Sequence, residues 1–73
     1  MDKVPFSIPH CGRFIQGWFC GLDRETPPRH YHIAIEGHFV GTLVNEDGTW
    51  YMGGIWGVEL AGIIGNYIEL WWQ

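Results

Sequence analysis

From His30 to Glu36 the chain alternates: Tyr31, Ile33 and Ile35 share one parity, and His30, His32, Ala34 and Glu36 the other. A period of two marks a strand with one buried face. That single feature constrains everything around it. Such a strand needs neighbours for its backbone hydrogen-bonding groups and a second layer over its apolar side.

The neighbours follow directly in sequence. After Glu36 and Gly37, the run His38 to Val44 returns to β-favouring residues, and the short glycine-containing gap is a hairpin signal. Asn45, Glu46, Asp47 and Gly48 form the strongest turn in the chain, after which Thr49 to Met52 reads as another strand. Upstream, Arg13 to Cys20 is rich in aromatic and β-branched residues and is closed by Gly21, with Gly17 marking an expected bulge. Leu22 to Pro28, carrying Asp23, Thr26 and the Pro27-Pro28 pair, is a loop. Val4 to Pro9 has prolines on both sides of Phe6 to Ile8 and reads as an edge segment or arm. The register of the central hairpin stays open, because a one-residue change in its loop swaps the face on which Phe39 and Leu43 both land.

The covering layer comes from the C-terminal third. Between Val58 and Trp71, the residues Leu60, Ile63, Ile64, Tyr67, Ile68 and Trp71 recur at helical spacing, with Glu59, Gly62, Asn66 and Glu69 on the other face. Gly62 and Gly65 each cost a helix about 1 kcal/mol, and Gly65-Asn66 is also a plausible two-residue hairpin turn. The stripe favours the helix, since a hairpin would divide Ile63, Ile64, Ile68 and Leu70 between two sheet faces, both needing cover. The expected architecture is α+β: an antiparallel β-meander of three to four strands packed by one C-terminal helix, in a single domain spanning residues 1–73.

The succession Tyr31, Ile33, Ile35, Gly37, Val40, Gly41, the turn Glu46-Asp47-Gly48, Trp50, then Ile64, Gly65, Ile68 and Glu69 resembles small uncharacterised bacterial proteins that end in a β-meander and a helix. The likeness covers roughly residues 30–69. It implies the same fold and no activity, and no functional residue carries over from it.

Charge narrows the partners. Four Lys and Arg against eight Asp and Glu give a net charge of −4, and Lys3, Arg13, Arg24 and Arg29 form no cluster, so neither DNA nor RNA backbone is an expected partner. No window of 18 apolar residues exists, and Met1 to Pro9 lacks an apolar run of signal-peptide length, so the expected setting is the cytoplasm and no membrane. Cys11 and Cys20, nine apart, match neither a redox motif nor a paired metal-ligand spacing, and free thiols are expected.

Few residues point to chemistry. No G-x-G-x-x-G or Walker loop occurs, so no phosphate cofactor is implied, and Gly53, Gly54 and Gly57 are not followed by Lys and Ser or Thr. Ser7 is the sole serine, Cys11 merely adjoins His10, and no paired carboxylates are signalled, so an enzyme is not expected. His30 and His32 leave the same face of a strand and could begin a zinc site, with further ligands drawn from His38, His10, Cys11 or Glu36; the simpler reading is an exposed histidine face.

The anomaly is aromatic content. Five Trp, three Tyr and four Phe in 73 residues exceed what one helix and one sheet face can shelter. Surface scaling allows only ~60% of so short a chain's surface to be buried, leaving a small stability margin. Trp18, Trp50, Trp56, Trp71 and Trp72 are therefore the candidate partner-binding residues, with Trp71-Trp72 the foremost. Self-association as a homo-oligomer, a dimer by preference, would cover such rings and add stability. The alternative is a small-ligand binder using an aromatic platform or the His30/His32 face.

Overall fold

The computed structural model describes residues 3–53 and 57–73. In chain order the elements are β1 (Val4–His10), β2 (Arg13–Gly21), β3 (His30–Ile35), β4 (His38–Glu46), β5 (Thr49–Met52) and α1 (Gly57–Trp71). The strands form one antiparallel sheet in sequence order, with α1 laid across one face. This is the expected α+β meander with a C-terminal helix, but it has five strands where three to four were expected.

The fifth strand is the N-terminal arm, which pairs along its whole length with β2, from Val4 opposite Phe19 to His10 opposite Arg13. Its signal was hidden in the turn. Cys11 and Gly12 have φ of 52° and 76°, and the same two-residue loop with positive φ recurs at Glu36-Gly37 and Asp47-Gly48. Positive φ at both central positions is the type I′ requirement, whose twist matches that of the flanking strands. The prolines fit because of parity. Counting from the turn, His10, Ile8, Phe6 and Val4 exchange hydrogen bonds with β2, whereas Pro5 and Pro9 turn their missing N–H toward the open edge.

A second correction concerns β4. Phe39, Gly41 and Leu43 have the same parity, yet Leu43 is fully buried while Phe39 is 61% exposed. The register shifts between Ile33, opposite Gly41, and Ala34, opposite Phe39, so Val40 is an extra residue in the ladder. This bulge turns Phe39 to the outer face, and Val40 packs against the core in its place. Gly17 carries no bulge. It pairs regularly with Phe6 and Ile35, and a Cβ there would collide with the Ala34 carbonyl oxygen. Glycine at 17 serves close approach of β3.

The inner face buries Phe6, Ile8, Phe19, Tyr31, Ile33, Leu43 and Met52 against Leu60, Ala61, Ile64 and Ile68 of the helix. The stripe from Leu60 to Ile68 therefore does what its spacing predicts, with Ile63 and Tyr67 partly buried, while its last member, Trp71, is 54% exposed. Trp50 joins this core at 7% exposure, its indole against Gly65 and its Nε1–H donating to Glu69 Oε1 at 3.2 Å. Among the described residues, no helix is long and apolar enough to cross a membrane.

Candidate functional site

Two surfaces bring aromatic side chains together outside the core, and they lie on opposite sides of the sheet. The first is the outer sheet face, which α1 leaves open. Cross-strand register sets Pro5, Trp18, Ala34 and Phe39 in one row, Cys20, His32 and Thr42 in the next, and His30, Val44 and Tyr51 beyond. Phe14, Phe39 and Tyr51 are exposed and Trp18 is half-buried. The Lys3 ammonium sits 4.6 Å from the centroid of the Trp18 ring, a cation–π contact, and His32 meets Phe39 edge to face at 5.0 Å.

His30 and His32 share this face, as alternation requires, but each has other work. His30 Nδ1 lies 3.1 Å from Asp23 Oδ2, and a carboxylate can only accept, so the ring donates. Asp23 also accepts from the backbone N–H groups of Glu25, Arg29 and His30, which makes it the organiser of the loop between β2 and β3. Burial pushes its carboxyl up, but the hydrogen bonds from His30, Arg29 and Glu25 outweigh that and hold it below the usual carboxylate value. Among the described residues no three His, Cys, Asp or Glu side chains gather as a metal site.

The second surface is a cavity of about 200 Å³ between that loop and the C-terminal end of α1, lined by Pro27, Pro28, Tyr31, Asn45, Trp50, Ile68, Glu69 and Trp72. Tyr31 is 99% buried, since its exposure is 1%. Its hydroxyl has no hydrogen-bond partner of sound geometry among the described residues, although the Trp72 side chain comes close enough to favour its ionised form. Burial dominates and, with the charge of Asp23, pushes the phenol up to about 12. Asn45 is held by its Oδ1, which accepts from Gly48 N–H at 2.9 Å, so its amide nitrogen is left for other partners.

The five tryptophans singled out by composition are thus dispersed. Trp18 lies on the outer face, Trp50 is core rather than exposed surface, Trp72 rims the cavity, and Trp56 falls outside the described residues. Trp71 is exposed on one side while its ring meets Phe19 edge to face at 6.2 Å. Phe39 and Tyr51, the outer face's most exposed central rings, were not singled out. Only the bulge, which no local pattern announces, could have exposed Phe39. Cys11 and Cys20 form no disulfide. Cys20 stands seven residues along β2 from the turn beside Cys11, about 23 Å at strand rise, far beyond bonding reach.

No protein-family model, curated protein or solved structure matches this chain. The functional reading therefore rests on the two surfaces alone.

Proposed function

We propose that this protein is a non-enzymatic, cytoplasmic interaction module that pairs with a second copy of itself through the outer face of its sheet. The observation that carries the reading is Phe39: a bulge takes a phenylalanine of core parity and sets it on the open face, in the row of Trp18. Isolated exposed apolar residues are ordinary, but Phe39 in the row of Trp18 and Tyr51 two rows away put several rings on one open sheet face, which favours a contact surface.

Charge and edges favour this mode. No Asp, Glu, Lys or Arg occupies the three central rows, and the one charge lying over them, the Lys3 ammonium on the Trp18 ring, reaches in from the β1 edge and must stay at the rim of the contact. The β1 edge is blunted by Pro5 and Pro9 and the β5 edge is only four residues long, so neither is a good place to extend the sheet, which favours face-to-face packing. Five strands at ~4.8 Å and about seven residues at ~3.3 Å give roughly 550 Å² in projection, and side-chain relief brings that near the ~800 Å² per partner of a stable pair.

Sedimentation equilibrium on the wild type and on Phe39→Asp and Tyr51→Asp variants tests the proposal. A wild-type dimer at micromolar concentration and monomeric variants with unchanged circular dichroism are expected. A wild type that stays monomeric at hundreds of micromolar overturns it.

A further inference from the structure

We propose that the cavity between the β2–β3 loop and the end of α1 is a binding site for a small organic cation, an alkylammonium or methylammonium headgroup. Its walls are the rings of Tyr31, Trp50 and Trp72 with Pro27, Pro28 and Ile68, and its polar groups are the Tyr31 hydroxyl, the Glu69 carboxylate and the Asn45 amide. Aromatic faces carry the negative end of the ring quadrupole, and several around one space are the usual receptor for a weakly hydrated cation.

The site is built, not merely concave. Asp23 ties down the loop that supplies Pro27 and Pro28, and Arg29 of that loop accepts from Asn45 N–H through its carbonyl at 2.8 Å. Trp50 is held from behind by Gly65 and from the side by Glu69. Glu69 accepts that bond through Oε1, and its carboxylate is the negative charge among the residues lining the cavity. The buried hydroxyl of Tyr31 has no partner of sound geometry among the described residues and only the Trp72 side chain close to it, so it keeps bonding capacity for a group in the cavity.

Charge decides the class of ligand. None of the eight lining residues is Lys or Arg, and Glu69 is the sole ionised side chain among them, so anions are excluded and a cation is complemented. Size sets the rest. A cavity of ~150 Å³ accommodates benzene, so about 200 Å³ suits a compact group of roughly five to eight heavy atoms. A quaternary or alkylated ammonium has that size, whether free or at the end of a modified lysine side chain.

Tetramethylammonium, choline and its neutral isostere 3,3-dimethyl-1-butanol, titrated into the full chain by NMR, test the assignment. The cations should saturate near ~1 mM, with shifts confined to Tyr31, Trp50 and Trp72, and the isostere should bind about tenfold more weakly. Glu69→Gln keeps the volume and an acceptor for Trp50 but removes the charge, and should narrow the difference between cation and isostere to what the rings alone supply. Trp72→Ala should weaken both cations. A peptide carrying trimethyllysine separates the sources: tighter binding than tetramethylammonium marks a protein side chain, equal or weaker binding a free amine. Equal binding of the isostere, preference for a methyl glycoside, or no saturable shift overturns the proposal. The cavity shares no residue with the central rows of the outer sheet face, so its failure leaves the pairing proposal standing and the reverse also holds.

Discussion

The indole of Trp50 lies so close to Gly65 that any Cβ at position 65 would enter the ring. One helical turn on, Glu69 accepts the indole N–H, so a single β5 side chain fixes both the height and the rotation of α1 above the sheet. Gly62, in the same helix, faces open space. The two glycines should therefore respond in opposite directions. Gly65→Ala is expected to destabilise by about 2–3 kcal/mol through overpacking, and Gly62→Ala to stabilise by roughly 1 kcal/mol through helix propensity. Urea unfolding followed by Trp fluorescence reads both; a stabilised Gly65→Ala would mean that the helix does not seat on Trp50.

Phe39 and Leu43 have the same parity but opposite surroundings, which gives a direct check on the bulge. Leu43→Ala should cost about 2–5 kcal/mol, whereas Phe39→Thr should change monomer stability by no more than about 0.5 kcal/mol. Comparable losses at both positions would place Phe39 in the core and remove Val40 from its bulged role.

Tyr31 sets an alkaline limit. Its folded pKa is raised from 10.0 to about 12, so the folded state holds the phenolic proton more tightly than the unfolded chain does. Stability is thus unaffected by this group below pH 10 and falls as the pH rises toward 12. Ultraviolet absorbance of tyrosinate should show a component titrating near 12 that vanishes in Tyr31→Phe. That variant also removes a buried hydroxyl that has no partner of sound geometry among the described residues and should be more stable by about 1 kcal/mol at neutral pH.

Asp23 sets an acid limit of the opposite sense. Its folded pKa is depressed below 3.8, so its contribution is complete above pH 3.8 and is lost as the pH falls through the lower folded value. Asp23→Ala leaves the N–H groups of Glu25, Arg29 and His30 without their acceptor, and those amides should exchange with solvent at least about tenfold faster. Unchanged exchange there would show that the prolines alone order the loop.

Much of the architecture was legible in the sequence because it follows from periodicity and turn chemistry, which are local. Alternation over His30–Ile35, the Glu36-Gly37 and Asp47-Gly48 turns and the stripe from Leu60 to Ile68 each announce themselves within a few residues. Tertiary structure alone decided the rest. That Val4–His10 is a full strand depends on its pairing with β2, Phe39 faces outward because of one unpaired residue in a ladder, and Trp50 is buried because a glycine fifteen residues later admits it. The cavity draws its walls from a loop, three strands and the helix end, and so has no signature in any one of them. Periodicity tells a residue which side of its own strand or helix it occupies; what lies on that side is settled by partners distant in the chain.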